Sequence, residues 1–132
     1  MVDQAHVRQT VERHWEYIGT DADRSHEMYH DDAVLEFPQS GERFEGVASF
    51  KEWRSQYPGE VHYRIRRMTV RDDLAVVECS VRYGDGPWQF GVQLLDFRGE
   101  KVARERIYVM EGWEPAAWRA PWRSDTPADL PE

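Results

Sequence analysis

The chain has 132 residues, 40% of them hydrophobic and 13% aromatic, which suits one domain with its own core. Its formal charge is −8, and such a charge repels nucleic-acid phosphates and anionic lipid surfaces. We therefore expect no nucleic acid and no membrane as a partner, whereas a small neutral or cationic molecule is compatible with the charge.

Cysteine usage and hydropathy give the expected compartment. Cys79 is the single cysteine, so no internal disulfide can form. The chain has no apolar run of membrane-spanning length and no N-terminal secretory pattern. These features predict a cytoplasmic protein.

The first part of the chain has helical periodicity. Val7, Val11, His14, Trp15 and Ile18 recur at helical spacing, which predicts a first helix that ends near Gly19. A second, short helix is predicted over residues 23–29, followed by a strand to Phe37. A brief return strand at 43–45 and a third helix over 47–56 complete this part.

The second part alternates with a period of two. Four strands are predicted, over residues 62–70, 74–83, 88–97 and 102–110, joined by short turns. Helices followed by an antiparallel meander indicate an α+β domain. We expect this single domain to cover residues 1–123. Residues 124–132 are predicted to be a frayed tail, after an aromatic segment with Trp113, Trp118 and Trp122.

The segment YHDDAVLEFPQSGERFEG, residues 29–46, contains an aromatic residue, an acidic pair with alanine, an apolar–acidic alternation and a proline. The acidic pair, Asp31 and Asp32, is predicted to end the second helix, and Pro38 to end the strand. This arrangement resembles the nuclear transport factor 2-like superfamily, in its ketosteroid isomerase and SnoaL-like polyketide cyclase branches.

The resemblance implies a cone-shaped α+β barrel, in which three N-terminal helices pack on a strongly curved, mostly antiparallel sheet. The concave face would line an apolar pocket, and the convex face would form a homodimer. The residues implied to face inward are Gln89, Gly91, Gln93, Leu95, Ala103, Glu105, Ile107 and Val109. Those implied to face outward are Trp88, Phe90, Val92, Val102, Arg104, Arg106, Tyr108 and Met110.

The catalytic residues of these branches do not carry over to this chain. Ketosteroid isomerases keep a base carboxylate directly before the strand's proline, where this chain has Phe37. Their oxyanion-stabilising acid corresponds to Gln93, and their hydroxyl donor falls near His14. The histidine and aspartate of SnoaL-like cyclases correspond to Gln93 and Ile107. Limonene epoxide hydrolases need an asparagine, and this chain contains none.

The remaining polar residues give two catalytic candidates. A carboxylate on an inner sheet face is desolvated, which suits it to act as a base near neutrality, so Glu105 is the first candidate and His14 the second. The alternatives are that Glu105 is a structural brace and that His14 is a hydrogen-bonded core histidine. The residues predicted to line the ligand pocket are Tyr17, Phe37, Trp53, Tyr57, Cys79, Gln93 and Ile107. The thiol among them is interpreted as buried and inert.

No cofactor and no metal are expected. His26 to His30 match the zinc motif H-E-x-x-H, but the predicted helix is too short and no third ligand is evident. Three functions stay open. The chain is an isomerase or lyase that transfers a proton on a small hydrophobic carbonyl compound, a non-catalytic ligand-binding protein, or a dimerising domain whose pocket is filled by its own aromatic side chains.

Overall fold

A computed structural model describes residues 3–57 and 59–128. The elements in chain order are helix α1 (Gln4–Tyr17), helix α2 (Ala22–His26), strands β1 (Tyr29–Phe37) and β2 (Glu42–Glu45), helix α3 (Val47–Arg54), strands β3 (Val61–Arg71), β4 (Leu74–Tyr83), β5 (Gln89–Arg98) and β6 (Lys101–Glu111), and a 3-10 turn at Ala117–Trp122. The predicted α+β cone is confirmed, with the helices packed on one curved, unclosed mixed sheet.

The six strands follow the order β2-β1-β6-β5-β4-β3. Strands β3 to β6 form the predicted antiparallel meander, and β1 pairs in parallel with β6. This parallel pairing sets Leu35 beside Glu105 at the centre of the sheet. A strand from the first part of the chain thereby lies next to the last strand, and both contribute side chains to one interior.

The core lies between the concave face of the sheet and the three helices. Asp3 caps α1 by accepting a hydrogen bond from the Ala5 backbone N–H at 3.2 Å. The buried stripe of α1 includes Val7 and Val11, and α3 contributes Phe50, which is fully buried. Within the described residues, no helix is long and apolar enough to cross a membrane.

The acidic pair does not end a helix, so that prediction was wrong. Helix α2 ends at His26, and β1 begins at Tyr29, which places Asp31 and Asp32 inside the strand. Asp32 is exposed and accepts a hydrogen bond from Arg98 Nη2 at 2.8 Å. The pairing of β1 with β6 is irregular between Tyr29 and Val34, which lets exposed carboxylates lie between two buried segments of one strand.

A β-bulge also changes which residues of β6 face inward. Phe97 pairs with Val102 and Asp96 pairs with Arg104, so Ala103 has no partner in the ladder. The extra residue reverses the alternation, and Val102 is fully buried. The prediction that Val102 faces outward and Ala103 inward was therefore wrong, although Glu105 faces inward as predicted.

The C-terminal segment leaves the sheet beside Phe90, since a Cβ built at Gly112 would lie 3.6 Å from that ring. Its three tryptophans are 76%, 72% and 80% exposed, and none of them lines the cavity described below. Of the predicted tail, residues 124–128 carry no helix or strand, and residues 129–132 lie outside the described residues.

Candidate functional site

A cavity of about 220 Å³ lies between the concave sheet face and helices α1 and α3. Its walls are mainly aromatic and aliphatic, with few polar groups. The sequence-predicted residues that line it are His14, Phe37, Trp53, Tyr57, Cys79, Gln93 and Ile107. These side chains border an open space of that volume.

Gly91 leaves room for the neighbouring Cys79 side chain on the cavity wall. A Cβ built at Gly91 would lie 2.9 Å from Cys79 Sγ, which is closer than real Cβ contacts allow. Burial raises the pKa of the Cys79 thiol to about 12, and the nearby Glu105 carboxylate acts in the same direction. The thiol is therefore protonated at neutral pH and serves as an apolar wall group.

A chain of hydrogen bonds, which we call the Glu105 network, runs beneath the cavity. Trp15 Nε1–H donates to Gln93 Oε1 at 3.1 Å, and Gln93 Nε2 donates to Glu105 Oε2 at 3.0 Å. The Tyr29 hydroxyl donates to Glu105 Oε1, and Arg54 Nη1 donates to that hydroxyl at 3.2 Å. The order is fixed because the indole N–H at one end and the Arg54 guanidinium at the other can only donate, so both oxygens of the carboxylate accept.

Glu105 is fully buried and is not itself a wall of the cavity. Gln93 lines the cavity and also binds Glu105, so the amide lies between the carboxylate and the open space. Burial raises the pKa of Tyr29 well above its usual range, which keeps the hydroxyl protonated as a donor. Both carboxylate oxygens are thus engaged by protein groups.

His14 and His26 are two neutral histidines beside this network. His14 Nδ1 lies 2.7 Å from the Ser25 carbonyl oxygen, and His26 Nδ1 lies 2.6 Å from that of Ala22. Since a carbonyl can only accept, each ring donates from Nδ1 and keeps an unprotonated Nε2. Burial first, and then the Arg54 guanidinium, lower the pKa of His14 to about 3 and that of His26 to about 4.

Tyr17 lies outside the cavity, although it was predicted to line it. The Arg13 and Arg24 guanidinium groups lie 5.6 and 5.3 Å from the centre of its ring, and its hydroxyl accepts a hydrogen bond from Arg24 Nη1 at 3.3 Å. The inward stripe of α1 passes through His14 and Ile18, so position 17 lies on its flank.

Two residues of the network, Tyr29 and Arg54, were missed from the sequence. Tyr29 was assigned to the end of a helix, because the irregular pairing that follows it breaks the alternation of β1. For Arg54 the sequence contained one signal of an inward position. It lies four residues after Phe50, on the same face of α3, and Phe50 is fully buried.

The described ranges, 3–57 and 59–128, contain no group of three or more histidine, cysteine, aspartate or glutamate side chains that could hold a metal. The two histidines of the H-E-x-x-H match lie on different elements. His26 ends α2, whereas His30 lies in β1 with its Nε2 2.6 Å from the Arg98 carbonyl oxygen.

The fold and the buried site define a cone-shaped α+β domain with an interior cavity, and comparison with known proteins identifies its family. The SnoaL-like domain matches residues 7–105, so the chain belongs to this family, within the nuclear transport factor 2-like superfamily. A search of curated proteins finds no match.

Solved structures agree with this assignment. An NTF-2 like protein of unknown function from Burkholderia xenovorans LB400 is 31% identical over 94% of this chain and 98% of that chain, with a TM-score of 0.83. A candidate ketosteroid isomerase from Kribbella flavida DSM 17836 is 24% identical over 100% and 98%, with a TM-score of 0.87. An LEH-like epoxide hydrolase of M. tuberculosis is 16% identical over 80% and 83%, with a TM-score of 0.67. The last two show the shared fold alone.

The donor order of the Glu105 network predicts the effect of Glu105→Gln. The new amide group brings an N–H where only acceptors fit, and Arg54 loses its nearby counter-charge. We expect the free energy of unfolding to fall by about 1–3 kcal/mol in urea titrations. The control is Glu78→Gln, at an exposed ion pair with Arg67, which should cost below about 1 kcal/mol. Equal losses in the two variants would contradict the buried network.

The two neutral histidines predict a pH dependence of stability. Between about pH 6.5 and 4 the unfolded chain binds protons on His14 and His26, whereas the folded chain does not. The free energy of unfolding should therefore decrease as the pH is lowered from about 6.5 to 4, by up to about 1.4 kcal/mol per pH unit for each histidine. His14→Asn keeps a donor for Ser25 and should remove one histidine's share of the slope. Identical slopes from chemical denaturation would count against the assignment.

Proposed function

We propose that this protein binds a small, mainly apolar molecule in the cavity between the sheet and helices α1 and α3. The observation that carries the proposal is the open interior of about 220 Å³, with aromatic walls and a few polar groups at its floor. An engineered apolar cavity of about 150 Å³ already binds benzene, so the space suits a compound somewhat larger than that.

The state of Glu105 favours binding over catalysis. A general base must come within hydrogen-bond reach of the proton it removes. Here Gln93 separates the carboxylate from the cavity, and both carboxylate oxygens already accept hydrogen bonds. At neutral pH, His14 has an unprotonated ring, but its low pKa makes it a weak base.

Proton transfer by an isomerase or lyase is the second candidate. Gln93 favours it, because this one side chain both lines the cavity and contacts Glu105. A rotation of the Gln93 amide would open a path along which a carbonyl substrate in the cavity could reach the Glu105 carboxylate. Wild-type protein that exchanges the α-hydrogens of acetophenone for deuterium in D₂O, with the exchange lost in Glu105→Gln, would replace the binding proposal with this one.

A cavity-narrowing variant tests the binding proposal. Ile107→Trp enlarges a wall residue, so calorimetric titration with 1-octanol and acetophenone should show binding to the wild type and affinity at least about tenfold weaker in the variant. Glu12→Trp adds the same side chain on the exposed face of α1 and should leave affinity unchanged. No binding to the wild type, or an equal loss in both variants, would refute a ligand cavity.

We also propose that the convex sheet face joins two copies of the chain. Phe90, Val92, Tyr108 and Met110 form a half-buried apolar centre there, and the exposed tryptophan segment begins beside it. The strand register places Arg106 and Glu78 around this centre. A twofold arrangement can set opposite charges from the two copies against each other.

Phe90→Glu tests the convex interface. It introduces two charges into a dimer, one from each copy, at the centre of the apolar patch. We expect light scattering to give a dimeric mass for the wild type at tens of micromolar, and monomer or aggregate for the variant. A monomeric wild type at this concentration would exclude the homodimer.

A further inference from the structure

A second hollow, of about 280 Å³, adjoins the ligand cavity where α1 ends and α2 and α3 meet. We call it the vestibule, and its polar wall residues are Thr20, Ser25, His26, Lys51, Arg54 and Ser55. Three residues, Ile18, Arg54 and Tyr57, line both the vestibule and the cavity. These side chains therefore lie at the boundary that the two spaces share, and one of them carries a positive charge.

The vestibule is locally basic on an acidic protein. Lys51 and Arg54 lie on its wall, and none of its described wall residues is an aspartate or glutamate, although the chain has 25 acidic side chains against 17 basic ones. A wall with two cations and several hydroxyl groups suits an anionic oxygen ligand. The apolar cavity directly behind it suits a hydrocarbon group.

Arg54 has unused hydrogen-bonding capacity at the boundary. Both of its hydrogen bonds use Nη1, at 3.2 Å to the Tyr29 hydroxyl and 3.1 Å to His26 Nε2. These partners are neutral, and in the described part of the chain no carboxylate lies within ion-pair distance of Arg54. The Nε and Nη2 groups have no hydrogen-bond partner among the same residues. One edge of the planar guanidinium is therefore free for two parallel hydrogen bonds to a carboxylate.

Lys51 supplies a second cation whose present partner is replaceable. Lys51 Nζ lies 2.7 Å from Asp23 Oδ1, and the Asp23 side chain is 84% exposed. An exposed ion pair contributes little to stability, so an incoming anion competes with Asp23 at small cost. Arg54 and Lys51 together then offset both the ligand's charge and the buried charge of Glu105.

We propose that the ligand is an amphipathic carboxylic acid. Its hydrocarbon group occupies the cavity, and its carboxylate lies at the vestibule boundary on the free edge of Arg54, with Lys51 close by. This inference rests on the proposed binding function and adds to it the chemical class of the ligand.

Octanoate and 1-octanol test the inference, because they share a hydrocarbon chain and differ in the charged group. Calorimetric titration of the wild type should show octanoate binding at least about tenfold more tightly, as expected for charge-assisted hydrogen bonds. Arg54→Gln should bring the two affinities within about threefold while 1-octanol still binds. Lys51→Gln, on a more exposed side chain, should lower the octanoate preference without changing 1-octanol affinity.

The control is Arg119→Gln, which makes the same change of net charge on an exposed side chain in the C-terminal segment and should leave the preference unchanged. Equal affinities of the two compounds for the wild type, or tighter binding of 1-octanol, would overturn the carboxylate inference and leave the binding function standing. Failure of both compounds to bind would overturn both. The wild-type comparison decides the inference even where Arg54→Gln does not fold.

Discussion

The burial of one carboxylate constrains much of this structure. Glu105 lies at the centre of the sheet with no solvent exposure, and a buried charge is strongly unfavourable unless it is hydrogen-bonded and compensated. Its partners come from separate elements, Tyr29 on β1 and Gln93 on β5, and these in turn bind Arg54 on α3 and Trp15 on α1. Satisfying Glu105 therefore positions both helices that cover the cavity.

The same arrangement bears on what the site can do. In the ketosteroid isomerase branch that the chain resembles, a carboxylate directly before the proline of the first strand acts as the base, and here that position is Phe37, an apolar wall of the cavity. In this chain the buried carboxylate is that of Glu105, which lies behind Gln93 and accepts hydrogen bonds from protein side chains. These hydrogen bonds fix the positions of the donors around Glu105. The side chains that face the cavity are then suited to contact a ligand.

Strand alternation made the antiparallel meander predictable, and the family resemblance supplied the cone and its concave face. The resemblance implied that Gln93, Glu105 and Ile107 lie on the concave face, and the structure has them there. The failures came at irregular backbone positions. A bulge at Ala103 reversed the faces at the start of β6, and the irregular start of β1 hid Tyr29. Such positions depend on pairing between distant strands, so local pattern does not reveal them.

The residue that sequence analysis missed most completely, Arg54, belongs to both the network and the vestibule. Its Nη1 atom donates to Tyr29 and His26, Nε and Nη2 have no hydrogen-bond partner among the described residues, and the side chain lines the vestibule. A carboxylate bound at Nε and Nη2 does not compete with the bonds that hold Tyr29 and His26. Because hydrogen bonds to Tyr29 and His26 already hold the guanidinium, little side-chain freedom remains to be lost on binding. The interaction that stabilises the fold thus also prepares the proposed ligand site.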